Sequence, residues 1–295
     1  MSDYFRQNNQ PSSFENGNSW VILSGIEQRI KSKIEAAGIK LKDWKINIYR
    51  GVLTGFNEAF IISQETRDRL VSASSKNADI IRPILRGRDI QKYKSLWSGL
   101  YIIGTFPSLK VKIDQYPAVK NHLLKFGKRR LEQSGLEGAR KETNNQWYET
   151  QDSINYWDDF YKPKIIWGEI SDKSKFAYDE NNYFVEATSF LMTGESLKYL
   201  LGMVNSKLLE WYFNQIGTAT GVGTNRWKKY TIELLPVIRT NKNEQKIFEE
   251  LVDRAISIPI ESNYEIVQKL DELVYRMYRL TDEEISFISR VDVSR

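Results

Sequence analysis

Ile26, Ile30 and Ile34 recur at every fourth position and the run halts at Gly38, with Ser24 and Glu27 forming a capping box ahead of it. That spacing predicts an amphipathic helix with one buried stripe and a glycine stop. Shorter apolar or alternating runs predict strands around 46–49 and 59–62, joined across Gly51-Val52-Leu53-Thr54-Gly55-Phe56-Asn57. Further strands are expected at 100–103, 164–167, 176–178 and 188–192. Leu197, Leu200, Leu201, Val204, Leu208 and Trp211 then trace one helical stripe, read as core packing, that ends near Ile216. In the last fifty residues Ile247, Leu251, Ala255 and Ile258 give one helical seam, broken by Pro259. Leu270, Leu273, Val274, Met277 and Tyr278 give another, and Thr281-Asp282-Glu283-Glu284 is a second capping box that starts a short final helix. The pattern as a whole is that of an α+β domain followed by helices.

Composition removes several kinds of chemistry. There is no cysteine and one histidine, His122, so the usual zinc sites, thiol nucleophiles and Ser-His triads are excluded in their common forms. His122 reads as a helix-surface or packing residue. No phosphate-binding loop of the Walker type is present, and Gly221-Val222-Gly223 opens no dinucleotide fingerprint. Asp43-Trp44-Lys45 and Glu244-Gln245-Lys246 have an acid-x-Lys spacing, which a chain with 27% charged residues produces by chance. No apolar run approaches the roughly 18 residues of a membrane span, and the absence of cysteine fits a reducing cytoplasm. The expectation is a soluble cytoplasmic chain with no catalytic residues and no metal site of its own.

Charge is distributed unevenly. Residues 1–243 carry 36 Lys and Arg against 26 Asp and Glu, while residues 244–295 carry 7 against 12. A basic body and an acidic tail imply two different surfaces. Three basic clusters stand out in the body: Arg82, Arg86, Arg88, Lys92 and Lys94; then Lys125, Lys128, Arg129, Arg130, Arg140 and Lys141; then Arg226, Lys228 and Lys229. Singly, each is more often a solvated face than a site; together in space they would track phosphates. The third cluster leaves a small-residue loop, Gly217-Thr218-Ala219-Thr220-Gly221-Val222-Gly223-Thr224-Asn225-Arg226-Trp227-Lys228-Lys229-Tyr230. Glycine permits close backbone approach, and Arg and Lys attract phosphates and guanine edges. A flexible connection ahead of an ordinary basic strand is the competing reading.

Ordered motifs carry a resemblance over nearly the whole span from Trp20 to Ile285. They are Gly51-x-x-Thr54-Gly55-x-Asn57-Glu58-Ala59-Phe60, Leu85-Arg86-Gly87-Arg88-Asp89-Ile90 and Trp147-Tyr148-Glu149. Lys162-Pro163-Lys164-Ile165-Ile166-Trp167 and Leu200-Leu201-x-x-Val204-Asn205-Ser206-Lys207-Leu208 follow. Arg226-Trp227-Lys228-Lys229, Leu235-Pro236 and Leu273-Val274-Tyr275 close the series. The chain resembles the TaqI-like specificity domain, the C-terminal target-recognition region of type IIG restriction–modification enzymes. The resemblance implies a twisted, mostly antiparallel sheet with flanking helices over 20–243, then a C-terminal helical region over 244–295, behind a flexible polar arm at 1–19. It implies double-stranded DNA as partner and an N-terminal methyltransferase and nuclease portion in the parent enzyme, using S-adenosylmethionine and Mg2+ to methylate adenine N6 and to cut. The Pro-Pro catalytic signature of such methyltransferases is missing, since none of the 7 prolines adjoins another. The chain is therefore expected to be an excised or stand-alone recognition module that neither methylates nor cuts.

In that reading Arg226 is the leading base reader, with Asn225, Thr54 and Asn57 behind it. Arg82, Arg86, Arg88, Lys125, Lys128, Arg129, Arg130, Arg140, Lys141, Lys228 and Lys229 hold phosphates, which position the duplex without specifying it. Trp227 is expected to be packed, because the partner enzyme flips the target adenine. The acidic tail is expected to pack on its own chain or on a partner domain and to be removable with little direct loss of DNA contact, provided the body still folds. An RNA-binding protein, a stand-alone specificity subunit and a helical interaction adaptor are the rivals; competition between duplex DNA and RNA separates the first.

Overall fold

The computed structural model describes residues 23–134, 140–219 and 224–290. The polar arm at 1–19 and Thr220, Gly221, Val222 and Gly223 of the small-residue loop lie outside them. The first capping box opens α1 (Gly25–Ala37), where the Glu27 carboxylate accepts from the Ser24 N–H at 2.8 Å and Ile30 and Ile34 are buried. β1 (Ile39–Lys40) and β2 (Ile46–Arg50) follow. The next strand starts later than its pattern suggests: α2 (Asn57–Phe60) takes Ala59 and Phe60 into one helical turn before β3 (Ile61–Ser63). The cause is local. The Thr54 hydroxyl accepts from the Phe56 N–H at 3.1 Å and donates to Asn57 Oδ1 at 2.6 Å, which turns the chain where a ladder was expected.

The chain continues through α3 (Gln64–Ala73), β4 (Ile81–Leu85), β5 (Leu100–Ile103), α4 (Pro117–Leu124), α5 (Lys128–Leu131), β6 (Lys164–Gly168) and β7 (Ile170–Ser171). Next come β8 (Phe176–Asp179), β9 (Phe184–Val185), β10 (Ser189–Gly194), α6 (Leu197–Val204), α7 (Lys207–Ile216), β11 (Thr218–Ala219) and β12 (Asn225–Arg226). α8 (Lys229–Ile232), β13 (Pro236–Val237), α9 (Lys242–Ser257), α10 (Tyr264–Met277) and α11 (Asp282–Arg290) complete it. The fold is α+β and mostly antiparallel, but the strands are shared among four small sheets: β2-β10-β6-β8, β3-β5-β4-β9, β11-β12-β7 and β1-β13. Only the β4–β9 pairing is parallel among these strands.

The single helical stripe expected to run to Ile216 is two helices. Asn205 ends the first helix and bonds the Phe176 backbone twice, at 3.1 and 2.9 Å, while Ser206 turns extended and its hydroxyl caps α7 by accepting from the Leu209 N–H. Both helices face one core, so their apolar spacing runs on across the break.

The C-terminal helices belong to that same core. Phe248, Val252 and Ala255 are the buried seam of α9, one register from the expected Ile247, which is 52% exposed. α9 and α10 close on α6 at Gly202, where an added Cβ would lie 3.1 Å from Phe248 and 3.2 Å from Val252. Lys94 donates to the Ile258 carbonyl, and Lys33 meets Glu284 at 2.6 Å, so polar ties join the tail to the body as well.

A second anchor lies under β6. Lys164 and Asp179, both with fully buried side chains, pair at 2.5 Å between β6 and β8. Lys164 also donates to the Phe160 carbonyl at 2.7 Å, and Asp179 accepts from the Asn181 and Tyr183 N–H groups. Burial pulls the Lys164 ammonium below its ordinary pKa, although Asp179 opposes this.

Candidate nucleic-acid interface

The Arg86-Gly87-Arg88 segment leaves β4 as a tight turn because the buried Asp89 carboxylate accepts from the Arg86 N–H at 2.8 Å and from the Ser98 hydroxyl at 3.2 Å. The turn then packs backbone to backbone on the end of β6: an added Cβ on Gly168 would lie 3.4 Å from the Gly87 Cα. A cleft of about 770 Å³ opens above these two glycines. Arg86, Arg88, Gln91, Ile170, Asp172, Lys175, Glu186 and Thr224 line it. The cleft thus brings Arg86 and Arg88 of the first basic cluster beside the strand that precedes and pairs with the one carrying Arg226.

That strand is held from below. β12 lies between β11 and β7, with Arg226 opposite Ile170 and Asn225 opposite Ser171. Trp227 follows directly and is buried, its ring stacked on Phe213 at 3.8 Å and edge-on to Phe176. Its indole N–H donates to the Ser171 carbonyl, its backbone N–H to the Glu169 carbonyl, and its carbonyl accepts from Trp167 Nε1 at 2.8 Å. The expectation that Trp227 is packed therefore holds. Its anchorage fixes the register of β7 and β12, so Arg226 starts from a rigid base.

Acidic partners hold the cations in the cleft and beside it. Arg226 reaches Glu169 at 3.5 Å and Lys228 reaches the same carboxylate at 3.8 Å; Arg86 lies 4.0 Å from Glu186. Lys175 pairs with Asp172 at 2.9 Å, and that hydrogen bond keeps the Asp172 pKa below its ordinary value. Arg88 is exposed and has no ion-pair partner among the described residues. Exposed pairs of this length are worth about 0–1 kcal/mol, so a phosphate or a guanine edge can compete for these cations.

The second basic cluster borders a separate concavity formed by Leu53, Gly55, Phe56, Asn57, Glu58, Arg130 and Gln151. Arg130 lies over the Phe56 ring at 4.4 Å, and Lys125, Lys128, Arg129 and Lys141 are exposed nearby in sequence. The two concavities share one segment. Val52 bridges Glu186 at the cleft wall, and five residues later Asn57 lines the second opening, a chain length of at most about 18 Å. Gly51 makes that junction possible, since an added Cβ would fall 2.1 Å from the Glu186 carbonyl oxygen. His122 packs structurally on α4, with Nε2 3.3 Å from the Ala59 carbonyl oxygen and its pKa lowered by burial.

Several of the expected contact residues are engaged elsewhere. Arg140 is 3% exposed, and its guanidinium donates to the carbonyls of Leu131, Thr54, Glu149 and Trp147, so it ties these residues together and is not available to a phosphate. Arg82 donates to the carbonyls of Ala78, Asp79 and Ile81 and to the Tyr161 hydroxyl. Thr54 is fully buried in its turn, whereas Asn57 beside it is exposed. Asn225 is half-buried and donates to Asn214 Oδ1 at 2.6 Å, and Lys229 pairs with Glu233 one helical turn away. Thr224 lines the cleft as part of the small-residue loop, whereas Ile170 and Lys175 line it without having been singled out in the sequence. Lys175 sits in the mixed-charge run Asp172-Lys173-Ser174-Lys175, and Ile170 belongs to an apolar-polar alternation too short to mark.

Comparison with known proteins gives three findings. A family model described as the TaqI-like C-terminal specificity domain matches residues 82–237. The chain is 22% identical over 285 residues to the type II methyltransferase M.BstVI of Geobacillus stearothermophilus, and 23% identical over 271 residues to the type II methyltransferase M.PaeR7I of Pseudomonas aeruginosa. These alignments cover 93% and 90% of this chain but 47% and 44% of those proteins, so the chain spans about half the length of the curated relatives it matches. A solved structure of the type IIL restriction-modification enzyme MmeI in complex with DNA shares the fold over 88% of this chain and 36% of its own, with a TM-score of 0.58 and 15% identity.

Proposed function

The chain belongs to the TaqI-like C-terminal specificity domain family, and from that premise we propose that it recognises a target sequence in duplex DNA. The observation that carries the reading is the meeting of Arg86 and Arg88 with the β7–β12 ribbon around one open cleft. The small β11-β12-β7 sheet carries Arg226 on its middle strand, and in the major groove Arg reads guanine O6 and N7. Arg226, on the exposed side of that ribbon, is the base reader, with Asn57 at the second concavity a further candidate. Arg86, Arg88, Lys228, Lys229 and the exposed Lys125, Lys128, Arg129, Arg130 and Lys141 hold phosphates.

Adenine methylation and cleavage belong, in this proposal, to a methyltransferase and nuclease portion of a type IIG parent or to an equivalent subunit. S-adenosylmethionine and Mg2+ act there. Among the described residues no three His, Asp or Glu side chains gather where they could hold a metal ion. No helix among the described residues is long and apolar enough to cross a membrane.

Salt dependence tests the electrostatic half of the proposal. The whole chain should bind random duplex DNA with Kd of order micromolar or weaker at physiological salt, and log affinity should fall linearly with log salt at about 0.9 per neutralised phosphate. Lys128→Ala should reduce that slope by about one unit and weaken all sequences alike. Duplex RNA should compete poorly, because its deep, narrow major groove does not admit a ribbon. A flat salt response would remove phosphate contact as the source of binding, and better competition by RNA would favour an RNA-binding protein.

A further inference from the structure

Ile170 is 59% exposed in a cleft where the other apolar lining residue, Ile90, is buried and the rest of the side chains are charged or polar. Its backbone is not loose. β7 is paired to β12, Trp227 bonds the flanking Glu169 and Ser171 carbonyls, and the stacked Phe213 ring holds Trp227 in the core. The fold therefore holds an apolar side chain toward water at a fixed place. Ile170 is the cross-strand partner of Arg226, so the two side chains rise from the same face of the ribbon. Their Cβ atoms stand about 4.5–5.5 Å apart in such a pair. One base-pair step is about 3.4 Å along the duplex, so two neighbouring tips reach two adjacent base pairs.

The major-groove edge of a base pair offers one apolar feature, the 5-methyl group of thymine. We infer that Ile170 is a specificity-determining residue that contacts the methyl group of a thymine, in the base pair next to the guanine held by Arg226. The inference rests on the duplex-recognition reading of the cleft. It assigns the ribbon a two-base-pair readout: a charged partner for guanine, and an apolar partner that penalises cytosine, whose C5 carries hydrogen where thymine carries methyl. Val185, Ile166 and Leu191 elsewhere in the sheets are fully buried and have no such opportunity.

The test starts with selection of duplexes from a randomised pool by the whole chain. The enriched site is resynthesised with deoxyuridine at one thymine at a time, which removes the methyl group and leaves base pairing intact. Wild-type affinity should fall about four-fold at one thymine, the equivalent of one buried carbon. That thymine should adjoin the position at which Arg226→Ala loses its preference for guanine. Ile170→Ala should bind the thymine and deoxyuridine duplexes equally, Ile170→Val should keep most of the difference, and both should melt as the wild type does. Indifference of the wild type to every methyl group overturns the inference, as does full methyl discrimination by Ile170→Ala. A chain that enriches no duplex at all overturns the DNA reading of the cleft and this inference with it.

Discussion

Asp179→Ala should lower the unfolding free energy by about 3–5 kcal/mol, the largest single-residue loss expected in this molecule. The substitution leaves the Lys164 ammonium fully buried with one carbonyl for company. It also strips the acceptor from the Asn181 and Tyr183 N–H groups that close the turn between β8 and β9. Lys164→Met should cost less, since it removes the buried charge that needs a partner, although Asp179 then lacks its cation. The double variant should cost less than the sum of the two singles, because each single strands the other group. Urea unfolding of the four proteins measures this. A loss under about 1 kcal/mol for Asp179→Ala would mean that water reaches the pair.

Truncation after Asn243 should abolish cooperative folding altogether. Phe248, Val252, Ile266, Leu270, Val274 and Ile288 are buried in the core that also holds Leu200, Met203 and Leu208. Each such side chain contributes roughly 1.5–3 kcal/mol by burial, against a total stability of roughly 5–15 kcal/mol for a domain. Gly202 would face water at the closest approach of α6 to α9. The acidic tail therefore packs on its own chain, one of the two placements expected for it, and its removal should take the body with it. Near-ultraviolet circular dichroism of residues 1–243 should lack the fixed aromatic signal of the whole chain; a native signal with a sharp unfolding transition would show that the body folds alone.

The legible part of this fold was the part governed by hydrophobic patterning. The strands near 100–103, 164–167, 176–178 and 188–192 are short, mostly apolar runs bounded by polar turns, several of them buried on both faces, and the tail helices answer to a period of 3.6. Side-chain competition with the backbone defeated the pattern elsewhere. Thr54 and Asn57 start a helical turn inside an apolar run, and Asn205 and Ser206 end one helix and cap the next without disturbing the stripe. The candidate site was half legible. Basic clusters are visible in sequence, but Arg82, Arg88 and Arg140 look alike there. Only packing shows that carbonyls hold Arg82 and Arg140, whereas Arg88 stands exposed at the cleft. Ile170 carried no signal, because an exposed isoleucine on a two-residue strand looks like any other apolar position until its cross-strand neighbour is known.

Binding of wild type and Arg226→Ala to the selected duplex and to every single-base variant of it tests the central claim most directly. Arg226 is half-exposed and its contact to Glu169 is long, so the variant should melt as the wild type does. It should lose about 1–3 kcal/mol at the selected site and become indifferent at one base pair while keeping its preferences at the others. Uniform weakening across all variants with unchanged melting would make Arg226 a phosphate clamp and contradict base reading by the ribbon.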